Sequence, residues 1–377
     1  METKAINTKL KGHARVDVAD VLRGLAVMGI IILHSIEHFN FYSFPDTAGQ
    51  SAWLNFSDKA IWNGLFFMFG GKAYAIFALL FGFSFFIQDD NQRLRGNDFR
   101  LRFCWRLILL FLIGNINASF FTAEVLVLYS LVGFILPLTC RLKDKWIFAL
   151  ACLLLIQPLP LYYVIRACLD PEFVTPAIPT RSFWNATFAV QSNGNFLETI
   201  RVNLWDHGRV FQTAALFLLG MLIGRKGLFL KEHLKVWNKV LAGSLVAFFP
   251  LYGLGNMLPD FITNKSILTP LSLIITSLSN FAFMLILVSG VVFAFYKTNL
   301  HDGLMKITPY GKMSLTNYIT QSIVGSMLYY NWGFALHNQF GITASCLAGI
   351  VFFILQFSFC RWWMNHHSHG PMEYIWK

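Results

Sequence analysis

An all-α polytopic bundle of about ten transmembrane helices, with both termini cytoplasmic, is what this sequence predicts, and three observations predict it. The chain has 377 residues, of which 56% are hydrophobic and only 13% charged, and its mean hydropathy is positive. A water-soluble core of this length needs a far more charged shell, so the apolar excess faces lipid. Ten apolar runs of roughly 20 residues follow one another, each long enough to cross a bilayer. The 30 Lys and Arg residues alternate from loop to loop and gather on no compact surface, which argues against nucleic acid as the partner of the +11 net charge.

In chain order the apolar runs predict helices near residues 20–43, 65–88, 103–121, 123–140, 146–166, 210–224, 237–256, 270–296, 312–331 and 342–363. Short cytoplasmic loops retain Lys and Arg. With ten crossings and the N-terminus inside, 23 of the 30 basic residues fall on the cytoplasmic side, and a missed or extra helix would break that alternation. The whole chain, 1–377, reads as one integral membrane domain.

The first helix is too long and too polar for a cleavable signal peptide and reads as an uncleaved anchor. The six cysteines stand singly in or beside apolar runs, without disulfide or metal spacing, so no metal is expected. Two outer connections are long: 44–64, with Asp58, Lys59 and Trp62, and 167–209, with Trp184, Trp205, Asp206 and His207. The second is a lid, a binding surface or an interfacial anchor.

Ionisable residues within spans are costly and so are the first functional candidates. Eleven residues at 1.5 Å each put His34 about 16 Å deeper than Arg23, on the same face of the first helix. Glu37 and His38 continue that stripe. The stripe predicts a hydrated cavity in which His34 acts as general base, with Glu37 or His38 orienting it. Lys72 opens the second helix, either at the outer mouth or snorkelling there. Glu124 starts the fourth helix as cap or catalyst. Asn317 and Gln321, four residues apart, are interhelical hydrogen-bonders or substrate ligands. Arg93, Arg95, Arg100, Arg102 and Arg106 set orientation or hold the phosphates of a nucleotide-bearing donor.

The segment Val16-Asp17-Val18-Ala19-Asp20-Val21-Leu22-Arg23-Gly24-Leu25-Ala26, with His34 beyond it, resembles the opening of the membrane acyltransferase-three superfamily. Over nearly the whole chain the closer resemblance is to the YeiB-type family of bacterial membrane proteins, a family of unknown function. It rests on Lys72 to Phe83, Glu124 to Gly133, Gly311 to Tyr318 with Gln321-Ser322, and Gly370-Pro371-Met372-Glu373-Tyr374-Ile375-Trp376. That family is grouped with the superfamily of heparan-alpha-glucosaminide N-acetyltransferase. The resemblance implies an O- or N-acyltransferase that takes cytosolic acetyl-CoA or another acyl-CoA and acylates a polar acceptor, such as a saccharide, across the membrane. It gives Arg23 a donor-site role and His34 a catalytic one. In such a scheme Trp184, Trp205 and His207 present the acceptor. The competing readings are a proton-coupled transporter or flippase that uses the same stripe as a relay, and a non-catalytic scaffold or sensor.

Overall fold

The computed structural model describes residues 16–37, 39–40, 44–45, 48–121, 124–170, 172–175 and 208–376. His38, Trp184, Trp205 and His207 therefore lie outside the described residues, as does most of the expected outer loop 167–209. Among the described residues the regular structure is entirely helical.

α1 (Asp17–Ile36) is buried along most of its length at the centre of the bundle. α2 (Ala52–Phe69) and α3 (Ala73–Leu94) run antiparallel to it: Ser84 meets Arg23, Phe69 lies on Gly29, and Ile61, Trp62, Leu65 and Phe66 pack on Leu33 and Ile36. This corrects two expectations. The stretch 44–64 is mostly helix, and the run 65–88 is broken at Gly70-Gly71-Lys72. Asp58 and Lys59 interrupt the apolar pattern and disguise the helix. Asp58 is nonetheless satisfied, accepting from the amide of Thr343 at 2.8 Å and its hydroxyl at 2.6 Å, a borrowed cap for a distant helix.

α4 (Arg100–Ala118) returns along α5 (Leu126–Val132) and α6 (Ile135–Thr139). α7 (Asp144–Leu155) and α8 (Pro158–Leu169) form one apolar run bent by 49°. Pro158 supplies the bend, because its ring cannot continue the preceding helix, and Gln157 before it takes a left-handed φ of 60°. α9 (Arg209–Arg225) packs so closely on α3 that a Cβ on Gly82 would lie 1.9 Å from the Phe217 carbonyl oxygen. α10 (Leu234–Phe261) and α11 (Lys265–Lys297) form a long pair, with Val246 and Phe249 of α10 exposed on the outside where lipid takes the place of protein.

Two short helices, α12 (His301–Met305) and α13 (Thr308–Lys312), lead into α14 (Ser314–Tyr329) and α15 (Ile342–His366), and the chain closes with α16 (Pro371–Trp376). Six helical runs are long and apolar enough to cross a membrane, and the bent pair α7–α8 makes a seventh. The expected runs 123–140, 210–224 and 312–331 fall outside this set. The first is interrupted at Gly133, and α9 and α14 have only 17 and 16 residues, about 25 Å each at 1.5 Å per residue. Both are inner helices, buried on most sides and rich in small and polar residues.

Candidate functional site

A cavity of about 630 Å³ opens between the N-terminal end of α1, the C-terminal half of α3, the start of α4, α13 and α16. Its rim is cationic, with Arg23, Arg95, Arg102 and Lys312, Arg106 lies buried within it, and its inner wall is apolar, with Phe77, Phe81, Leu110 and Leu126 closing on Tyr129. Four of the six arginines expected at a donor site line it. Arg93 and Arg100 do not: they pair with Asp90 and Asp98, each at 2.6 Å. In the loop before α4, the Arg100 side chain and amide hold the Asp98 carboxyl down at about 2.

Arg23 is positioned from two sides, by Asp20 one turn earlier at 2.6 Å and by the Ser84 hydroxyl at 2.8 Å. Arg106 donates to the Gln88 side-chain carbonyl, and the Trp376 ring lies 3.9 Å from its guanidinium. The Trp376 indole donates in turn to the Arg106 backbone carbonyl at 3.0 Å. The neighbouring Glu373 accepts from the amides of Leu315 and Thr316 at 2.7 and 3.1 Å and from the Thr316 hydroxyl at 2.6 Å. It caps α14, whose own N-cap, Met313, has no side-chain oxygen. The C-terminal segment Gly370–Trp376 is thus a wall of the cavity. In the sequence this segment stands out only as a family feature, and no local signal ties it to a site.

His34 is not among the cavity-lining residues. Its ring is half-buried, 4.7 Å from that of Phe121 and 6.4 Å from that of Phe39, and Nδ1 lies 3.4 Å from Nε2 of Gln321. Glu37 is buried at the end of α1. Glu124 is also buried and accepts from the Asn117 side-chain amide and the Leu126 amide. Asn117 in turn donates to the Ser322 hydroxyl at 3.1 Å. Two predicted groups, His34 and Gln321, are thus brought into contact. Glu124 reaches the same helix, α14, through Asn117 and Ser322, and touches the inner wall of the cavity through Leu126.

Lys72 does not line the cavity. It is buried at the α2–α3 break, with its ammonium 5.9 and 5.5 Å from the Phe67 and Phe283 rings and 3.5 Å from the Phe66 carbonyl. Asn317 bridges helices: it donates to the Tyr310 carbonyl at 3.0 Å and accepts from the Cys360 thiol at 3.2 Å. A further polar layer went unread in the sequence. Gln157 at the α7–α8 bend donates to Ser277 at 2.9 Å, Gln212 donates to the Ser277 carbonyl at 3.0 Å, and Tyr74 donates to Gln212.

Residues 223–377 match a family model described as "Protein of unknown function (DUF418)". That C-terminal segment is similar to the DUF418 family. Along nearly its full length it is similar to "Uncharacterized protein YxaH" of Bacillus subtilis (strain 168), at 25% identity over 97% of this chain and 94% of the relative. It is also similar to "Uncharacterized protein YeiB" of Escherichia coli (strain K12), at 24% identity over 95% and 94%. A protein from the amylase 3' region of Bacillus acidopullulyticus matches at 22% over 96% and 93%. The DUF418 segment holds Lys312, Gln321, Ser322, Glu373 and Trp376, so it supplies one side of the cavity and the partner of His34. These comparisons and the helical runs make the chain a multi-pass membrane protein with bacterial homologues.

Proposed function

We propose that this protein is an integral membrane acyltransferase that receives an acyl-CoA in the basic cavity and passes the acyl group towards an acceptor on the opposite side. The observation that carries the reading is the cavity itself: a cationic rim with an apolar inner wall suits a ligand with a polyanionic head and a slender, weakly polar arm. The nucleotide phosphates would lie at Arg23, Arg95, Arg102 and Lys312, and the thioester arm would run along Phe77, Phe81 and Leu126. In this reading Glu124 and His34 serve as the bases beyond that wall. One of them takes the proton as the acceptor oxygen or nitrogen attacks the thioester carbonyl; the C–S bond breaks and the thiolate leaves and is protonated.

In the same reading the basic face is cytoplasmic, the membrane is the inner membrane, and both termini lie inside. α2 continues the direction of α3 and so adds no crossing to the ten. Accessibility labelling of cysteines placed at Lys143 and at Arg166 tests this: the two positions should label from opposite sides, and labelling from one side refutes the topology.

Purified protein should gain thermal stability with acetyl-CoA. His34→Ala and Glu124→Gln should be compared for transfer of a labelled acetyl group to saccharides by membranes carrying each protein. Loss of transfer with retained acetyl-CoA binding in either variant supports the assignment; full transfer in both removes these residues from the chemistry. A second reading is favoured by the buried Glu124 carboxylate, tied through Asn117 and Ser322 to the helix that carries Gln321 beside His34, because ionisable groups within membrane helices serve as proton carriers in transporters. Proton-coupled solute uptake by vesicles without any acyl donor would favour a transporter.

A further inference from the structure

Arg106 carries a charge that no carboxylate among the described residues balances. The residue is 9% exposed, its side chain's one hydrogen-bonding partner among the described residues is the neutral Gln88, and its Nε has none. Arginine does not deprotonate in proteins, so the charge stays. Arg102 is close enough to repel it electrostatically. The carboxylates that line the same cavity are engaged elsewhere, Asp20 with Arg23 and Glu373 with the start of α14. A buried cation without a counter-charge is costly, and a purely structural arginine would have been given a carboxylate. Here the fold instead backs the guanidinium with an indole and turns it onto an open cavity.

We propose that the Arg102–Arg106 end of the cavity is a seat for the phosphate of an amphiphilic phosphate ester, and that α16 forms its back wall, with Trp376 holding the Arg106 fork in place. A guanidinium fork matches two phosphate oxygens, which a point charge does not. The apolar part of the ligand lies along Phe81, Leu110 and Leu126. The proposal deepens the acyl-CoA reading and rests on the same cavity, but it does not require acyl transfer. The phosphate has two possible sources, the nucleotide end of a coenzyme A ester or the headgroup of an anionic phospholipid.

The test uses the purified full-length protein with two probes. One is adenosine 3',5'-bisphosphate, which has no thioester arm; the other is a nanodisc containing phosphatidylglycerol, compared with one of phosphatidylcholine alone. Binding of the nucleotide is read by titration, and occupancy by lipid as the stabilisation that phosphatidylglycerol adds. Arg106→Gln should weaken the bound probe about tenfold or more, the scale of a lost charge-assisted bond, with Arg102→Gln as a second variant should the first not fold. Arg93→Gln, outside the cavity, should stay within about twofold. Arg106→Lys should fall between wild type and Arg106→Gln, because it keeps the charge and loses the fork. Binding of phosphatidylglycerol but not of the nucleotide would sink the acyl-CoA reading and leave the phosphate seat standing. Unchanged binding in a folded Arg106→Gln protein, or no response of wild type to either probe, would overturn the seat.

Discussion

The two ends of α1 carry similar polar groups in different surroundings. At one end Arg23 faces a cavity of about 630 Å³ and is oriented by Asp20 and Ser84. At the other, His34 lies against the rings of Phe39 and Phe121 and the amide of Gln321. Both positions face the bundle, as the polar stripe requires, but only the Arg23 end lines the cavity. A polar stripe on a membrane helix reports which side chains turn from lipid. It does not report how much space they turn towards, because that is set by the bulk of side chains on other helices.

The comparison breaks most completely if the Arg23 end is pried apart. A Cβ on Gly311 would lie 1.9 Å from the Asp20 carbonyl oxygen and 2.9 Å from the Gly24 amide nitrogen, both backbone atoms that cannot step aside. Gly311→Ala is expected to cost about 1–3 kcal/mol or more, seen as a lowered Tm, and to abolish anion binding because Asp20 and Lys312 are moved with it. An unchanged Tm would show that α13 is not tightly seated on α1.

The next effect separates the two ends directly. Arg23→Ala should weaken acetyl-CoA about tenfold or more, while His34→Ala should leave that affinity within about twofold and lower only turnover. Equal losses of affinity would place the two residues in one space and dissolve the contrast. Glu373→Gln, which keeps one acceptor oxygen and loses the charge at the start of α14, should cost about 1 kcal/mol of stability and loosen the α16 wall, read as faster proteolysis at the C-terminus.

The smallest effect lies outside the cavity. The Asp98 carboxyl is lowered from 3.8 to about 2, so the stability it contributes is present above pH 3.8 and fades as the pH falls through about 2. Because the pair is exposed, Asp98→Asn should move the neutral-pH Tm by no more than about a degree.

Much of the helical layout was legible. A run such as 270–296 can be read because lipid obliges a backbone to satisfy its own hydrogen bonds, leaving helix as the available form. Sequence pattern misleads where polar residues have partners far away in the chain. α2 was hidden by Asp58, whose partner Thr343 lies 285 residues on, and the bend at Gln157 by a partner 120 residues on. The site was legible by residue type but not by grouping. Arg23, Arg95, Arg102 and Arg106 meet in one cavity, while Arg93 and Arg100, in the same basic cluster, pair with Asp90 and Asp98 instead.

Composition and spacing by themselves determined that this chain lies in lipid, which runs are helical, and which charges stand against the apolar background, because each of these follows from local transfer and backbone energetics. Tertiary structure decided which of those charges share a space. Trp376 lies 270 residues from Arg106, and it is the stacking of that indole on that guanidinium, together with the capping of α14 by Glu373, that gives the cavity its wall. Such pairings depend on shape and packing between helices, and no local pattern encodes them.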